Sequence, residues 1–578
     1  MFRLFRRGLR ALAGQPDGRA RCLGHIDAID LVPGRLTIAG WANHLSPEIL
    51  HDGRRLALSL RTSERLDVVA AHGQDRSITG FVLTAETGGE TIDIDRIVVR
   101  LNPGCVFTAR THPSFFLSEA AVASLATAWA AADDAARTAR LAELRQRARR
   151  SGEVLLLHRI GVFLRQAGHE RAAEEALRAC LDDPQLRVPA LYELLSLCAY
   201  AGRHAAAAEC IDLTRQHESI RNNLKLFAAV QYAHCGRAAD ALALIAEAVE
   251  TDPGLEAEAA VTRQFVRMID AYGKPEAVRL LHAVRSRFRQ AGTEDVERAI
   301  IAHADAGRPF FVVRLGDGEA SHIVLDPQDE EDFAAIYRQN RREMVNVWYR
   351  DPALLDDPRY RTTIATFNAA IADADCIGAV NDALIDHAYR MTTPMVVTWM
   401  VNTLRKLHQF ADRDPDAARR TLVCDVHIHQ HLLVSGALGR ILQGRRAAGL
   451  ISCHGELAPA LQRHYGIAEM AFIKVPGEQI HADTLGPAAA QGRHWPDRYE
   501  AICAELDRGD RHGQIWLVAA GILGKIYGAK LKRSGAVVID IGAVADLWMG
   551  KRTRSFPAID PQLNPMTSLA GEGPGPSP

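Results

Sequence analysis

The sequence predicts a multidomain chain: an N-terminal β-sandwich, a central run of paired helices and a C-terminal, mostly parallel α/β sheet. Three observations carry this. Residues from about Cys22 to Leu117 hold short strand-forming runs punctuated by Gly, Pro, Asn and Asp. Gly168, Gly202 and Gly236 recur at a spacing of 34 residues. After about Val296, seven short apolar runs alternate with stretches of helical character. The length of 578 residues allows about three to five domains.

Composition narrows the class. Lys and Arg number 69 against 70 Asp and Glu, a net charge of −1, with 48% hydrophobic and 24% charged residues. That balance is globular, and it excludes a chain that grips nucleic acid through bulk positive charge. Only eight of the basic residues are lysines, and four of them lie from Lys525 to Lys551. No apolar run reaches the roughly 18–20 residues that span a bilayer. The ten cysteines form no CxxC pair, and several, such as Cys376, Cys424 and Cys453, stand in apolar contexts, which reads as reduced thiols of a cytoplasmic protein.

The first 20 residues begin with Phe2, Phe5, Leu9 and Leu12 at helical spacing among Arg3, Arg6, Arg7 and Arg10. Residues 1–14 can therefore lie peripherally on an anionic inner-membrane surface, or fray as a solvated terminus. Residues 21–118 form the β-sandwich, with strands expected at Arg35–Trp41, Arg55–Leu60, Leu66–Ala70, Gly80–Thr84 and Ile97–Leu101. Residues 119–150 are rich in Ala and Arg and lack turn signals, so they predict a linking helix. Residues 151–288 carry the repeat. Each spaced glycine is followed five positions later by Ala173, Ala207 or Ala241. Glycine permits the turn between two helices, and a small residue lets them approach closely. Residues 289–555 hold the α/β sheet, with runs Phe310–Leu315, Asp375–Val380, Thr421–Val426, Gly449–His454, Ala471–Pro476, Ile515–Ala520 and Ala536–Ile541. The Pro/Gly-rich tail, 556–578, reads as disordered.

The strand ends concentrate the chemistry. In open α/β sheets ligands bind outside the carboxyl ends of the strands. Asp317-Gly-Glu319 follows the first run, with Arg314 just before it and Gly316 and Gly318 in the turn. Two carboxylates two residues apart suit one hard Mg²⁺ or Mn²⁺, whose other ligands come from water and phosphate. Gly521, Gly524 and Lys525 follow the sixth run and precede a helix, a turn that can meet an anion with backbone N–H groups and one ammonium. Asp540 and Gly542 close the seventh run, with Asp546 beyond. The run His427-x-His429-x-His431 offers zinc or iron chemistry, but it crosses from strand into helix, so its rings need not converge. Glu456, His454, Glu478 and Asp425 are candidate bases, Glu456 and His454 foremost.

Three resemblances follow from these residues. Gly40-Trp-Ala-Asn43 and Gly80-Phe-Val-Leu83 resemble accessory β-domains of bacterial carbohydrate-active proteins. The 34-residue spacing resembles degenerate tetratricopeptide repeats, which imply a concave groove for a peptide or protein. Val312 to Glu319, Leu517 to Lys525 and Val538 to Gly542 resemble the opening and end of GT-D-type glycosyltransferases, over about residues 290–553. That family implies a Rossmann-like transferase using a nucleotide-sugar donor and a divalent metal, with Asp317 and Glu319 at the metal or donor diphosphate. The expected function is sugar transfer to a glycan or protein acceptor in bacterial surface glycan or glycoprotein assembly, with no nucleic-acid partner. A metal-dependent hydrolase or phosphoesterase using the His and Asp strand ends, or a non-catalytic repeat scaffold, are the competing expectations.

Overall fold

The computed structural model describes residues 23–108 apart from 33, 66–67, 69–77 and 88–95, scattered positions between 133 and 142, and 154–554 apart from 167. The amphipathic start, the tail from 555 and the expected strand at 66–70, Val68 apart, lie outside the described residues. So does the linker, save scattered helical positions such as Ala135 and Ala139. The chain divides into two compact units, Met1–Gln231 and Tyr232–Pro578.

The first unit opens with β1 (Gly24–Val32), β2 (Arg35–Asn43), β3 (Glu48–His51), β4 (Arg54–Arg55), β5 (Leu58–Ser63), β6 (Ile78–Glu86), β7 (Ile97–Asn102) and β8 (Cys105–Thr108). They form two four-stranded antiparallel sheets, ordered β1-β2-β6-β5 and β4-β3-β7-β8. Burial alternates along β2, so Leu36 and Ile38 face inward. They share one apolar core with Phe81, Leu83, Ile97 and Val99. The buried Asn102 amide donates to Leu23 O and Asn43 O at 3.0 and 2.9 Å, joining the end of β7 to that of β2. The expected run Arg55–Leu60 is broken at Leu56 and Ala57, where the chain passes from β4 to β5. β1, β3 and β8 were not singled out from the sequence.

The helices α1 (Val154–Gln166), α2 (Glu170–Arg178), α3 (Arg187–Tyr200) and α4 (His204–Arg215) follow, and α5 (Asn222–His234) contains the division between units. α1 packs on α2, and α3 on α4. Gly168 and Gly202 take the left-handed backbone that closes each turn, at φ +80° and +70°. Ala173 and Ala207 are fully buried where the paired helices meet.

In the second unit Gly236, at φ +71°, precedes α6 (Ala238–Thr251), with Ala241 again fully buried. α7 (Glu256–Ala271) packs on α6, and α8 (Lys274–Arg287) follows. Then come β9 (Arg289–Gln290), α9 (Thr293–Asp305), β10 (Phe310–Arg314), β11 (Cys376–Ala379), β12 (Leu422–Asp425), β13 (Ala447–Ser452), β14 (Glu469–Lys474), β15 (Ile515–Val518) and β16 (Val537–Asp540). Each of the seven expected runs holds a strand. The eight strands are parallel, in the order β14-β13-β15-β16-β10-β11-β12-β9.

Continuous burial along β10, β11, β15 and β16 reflects layers on both faces. Phe310 and Val312 join one core with α9 and the helices Ile428–Val434 and Val544–Trp548. Phe311 points the other way, against helix Gly521–Arg533. That helix packs on Pro358–Ala372 and Asp317–Ala320, while Ile428–Val434 touches Val544–Trp548. The connections after β10 and β15 thus lie on one face and the connection after β16 on the other. Among the described residues no helix is long and apolar enough to cross a membrane. The described cysteines carry free thiols.

Candidate active site

β16 lies between β15 and β10, and its outgoing chain leaves on the opposite face from theirs. Divergence of neighbouring connections opens a crevice at the carboxyl edge of a parallel sheet. Four charged side chains meet there. Lys525 Nζ is 2.5 Å from Glu319 Oε1 and 3.0 Å from Asp540 Oδ2. Asp540 Oδ1 is 3.4 Å from Arg314 Nη2, and Arg314 N donates to Asp540 Oδ2 at 3.3 Å. Arg314 Nη1 lies 3.1 Å from His429 Nε2, and its Nε is buried with no hydrogen-bond partner. Lys525 is only 1% exposed.

Two cations and two carboxylates balance inside a dry site. Burial would raise both carboxyls, but the charges of Lys525 and Arg314 outweigh it, so Glu319 and Asp540 sit below the usual carboxylate range. Burial and the Arg314 charge hold His429 well below its ordinary value, and its ring is neutral. Gly542 has φ +47°, and a Cβ there would stand 2.2 Å from Arg314 Nη2. Only glycine lets the chain turn past the guanidinium.

The other expected residues take varied places. Gly316 caps the short helix Asp317–Ala320, and Gly318 lies against Trp348. The side chain of Asp317 lies outside the described ones. Gly521 begins helix Gly521–Arg533 at φ +54°, and its carbonyl accepts from Lys525 Nζ at 3.3 Å. Two expectations for this turn need correction. The Gly524 N–H donates to Ala520 O at 3.1 Å, so it is spent inside the helix, and Gly524 serves close packing on Val518. Lys525, expected to face a phosphate, faces Glu319 and Asp540, because the helix carries it one turn into the protein. Glu456 is exposed at the start of helix Leu457–Tyr465. Glu478 pairs with Arg554 at 2.5 Å.

The histidine run does not share one ligand point. His427 turns to Asp425, with Nδ1 3.2 Å from Oδ1, while the neighbouring His429 meets Arg314. Burial would raise the Asp425 carboxyl, but bonds from the His427 side chain and backbone and from Asn381 bring it down to about 2. Among the described residues, Cys453, His454 and Asp546 can hold a metal ion, with their ligand atoms all within 4.8 Å of one another. His454 Nε2 is 2.8 Å from Asp546 Oδ1. Burial pushes the Cys453 thiol up to about 12. Of these three, the sequence points to His454 as a base and places Asp546 beyond a strand end, but nothing in it joins them to Cys453. The signal was a Cys-His pair and an Asp at the same sheet edge.

A hollow of about 320 Å³ is bordered by Gly236, Ile269, Gly273 and Tyr389. Comparison with family models, curated proteins and solved structures finds no match for this chain.

Proposed function

We propose that the chain is a metal-dependent glycosyltransferase that moves a sugar from a nucleotide-sugar donor to a glycan or protein acceptor. One observation carries the reading: Arg314, Glu319, Lys525 and Asp540 converge at the carboxyl ends of β10, β15 and β16, where the connections diverge. A sugar diphosphate and its counter-cation need both signs of charge in one crevice. On this reading Asp317 and Glu319 hold Mn²⁺ or Mg²⁺, and Arg314 meets the diphosphate. Glu319 fits that task as an ionised hard-oxygen donor. The cation would supply stabilisation of the leaving diphosphate as its charge grows. His454, held by Asp546, is the better-oriented of the two leading base candidates for an acceptor hydroxyl, since Glu456 has no comparable partner in a crevice.

We further infer that the two antiparallel sheets are an accessory β-sandwich and that α1–α6 are degenerate tetratricopeptide-like units. The positive-φ glycines and buried alanines at the repeated positions support the second point. The groove of such units would receive a protein or glycan acceptor.

The test is a donor screen with and without Mn²⁺, read by thermal shift and by slow donor hydrolysis. A nucleotide sugar should raise the melting midpoint only with metal. Asp317→Ala and Glu319→Gln should each abolish metal-dependent hydrolysis. Full activity in both variants would refute the mechanism, and the absence of any donor effect would refute the function.

A further inference from the structure

We propose that Cys453, His454 and Asp546 form a binding site for a thiophilic divalent cation of the zinc class. The site lies apart from the carboxylates of the donor reading and does not depend on them, but it takes up His454, so a bound cation and the role of His454 as an acceptor base exclude one another. Cys453 and His454 directly follow β13, and Asp546 stands in the chain after β16, with β15 between the two strands. The sheet therefore brings together groups that are 92 residues apart in sequence.

The donor set is sulfur, nitrogen and oxygen. Thiolate and imidazole select zinc-like ions over Mg²⁺ and Mn²⁺, and three protein ligands leave one tetrahedral position for water or substrate. Cys453 and His454 are buried and the Asp546 side chain is 17% exposed, so the set is dry yet reachable. Its surroundings are fixed. Asp546 Oδ2 accepts the Thr553 hydroxyl at 2.5 Å, which leaves Oδ1 as the oxygen directed to His454. The Asp546 carbonyl accepts from Lys551 N at 2.9 Å. The His454 backbone N donates to Ser452 Oγ at 3.2 Å, and Cys453 packs with Leu485 and Ala489. Carboxylates oriented by an outer hydrogen bond are typical of metal ligands.

Binding is a proton exchange. The cation enters, the Cys453 thiol proton leaves to solvent, and the proton shared by His454 and Asp546 withdraws to the ring nitrogen that does not ligate. No electron moves. The competing arrangement is a His454–Asp546 hydrogen bond beside an inert buried thiol.

The experiment uses the full chain, reduced, stripped with chelator and titrated anaerobically with Co²⁺ alone. The expected result is a thiolate-to-cobalt charge-transfer band with the visible bands of a four-coordinate ion, saturating at a single equivalent and erased by Zn²⁺. Cys453→Ser should lose the charge-transfer band. Asp546→Asn and Thr553→Ala keep the thiol and should weaken Co²⁺ binding by roughly 10–100-fold, the usual effect of altering a ligand or its support. Either no band in the natural chain or an unchanged band in Cys453→Ser overturns the proposal. Should Cys453→Ser fail to fold, unchanged affinity in both other variants overturns it.

Discussion

Replacing Lys525 by Met removes one charge from the driest part of the sheet edge and keeps the side-chain volume. At 2.5 and 3.0 Å, each of its two carboxylate contacts has a gross attraction of about 6 kcal/mol at an effective dielectric of about 20. Desolvation of the ammonium and carboxylates cancels much of that. The cost of the substitution is bounded by the cheapest escape, protonation of Glu319 or Asp540. An ordinary Glu titrates near 4.3, so holding its proton at pH 7 costs about 3.7 kcal/mol, and the cost falls by about 1.4 kcal/mol per pH unit. The variant should therefore lose about 4 kcal/mol at pH 7, within the range for a broken buried pair, and only about 1 kcal/mol at pH 5.

The signs oppose in the two proteins. In the natural chain the folded pKa values of Glu319 and Asp540 are depressed. Their stabilisation is full above the ordinary carboxylate range and is lost as pH falls through the depressed values. In Lys525→Met at least one carboxyl is raised above its unfolded value, so the variant gains stability between pH 7 and 5. Urea unfolding followed by tryptophan fluorescence reports this, because five of the seven tryptophans, Trp348, Trp399, Trp495, Trp516 and Trp548, lie in the second unit. A variant within about 0.5 kcal/mol of the natural chain, with a parallel pH profile, would refute a buried ionic network.

Gly528→Ala would place a Cβ 2.3 Å from the Phe311 ring and push helix Gly521–Arg533 off the sheet, at a cost of about 1–3 kcal/mol in the same unfolding assay. Asn102→Ala removes the buried side-chain donor to Asn43 O, while Leu23 O keeps the Asn43 N–H at 3.0 Å, and should cost about 1–3 kcal/mol, read as faster amide exchange along β2 and β7. Asp425→Asn should flatten the loss of stability between about pH 4 and pH 2, since a carboxyl held near 2 contributes at most about 2.6 kcal/mol above its unfolded pKa. Urea unfolding across that acid range checks it.

The sheet was legible because parallel strands are buried on both faces and so read as unbroken apolar runs, as in Phe310–Arg314 and Ile515–Val518. β9 escaped because two residues, Arg289 and Gln290, carry no period. β1 escaped because Asp27 and Asp30 interrupt its apolar residues. Strand-end residues were legible as a set, since the carboxyl edge follows from strand direction alone. Their partners were not. Lys525 and Glu319 stand 206 residues apart, and nothing local to Gly521–Lys525 says that its helix turns the ammonium inward. Pairing at that range follows from strand order, with β16 and β15 inserted between β10 and β13, which one sequence does not encode by pattern.

Strand order also constrains how a donor would bind. The cluster of Arg314, Lys525, Glu319 and Asp540 sums to zero, so it offers no net attraction to a diphosphate in the state described. A divalent cation at Glu319 changes that balance. On the proposed reading it would compete with Lys525 for the same carboxylate. If that reading holds, metal would add its own charge to donor binding, and Lys525 would couple the two through Glu319. Donor and metal should bind with strong positive coupling, which is reciprocal. In Lys525→Met that link is missing, so the coupling should shrink even where metal binding itself improves. Donor titrations by calorimetry, with and without Mn²⁺, in the natural chain and in Lys525→Met measure this difference. Equal coupling in both would mean that Lys525 only holds the carboxylates in place.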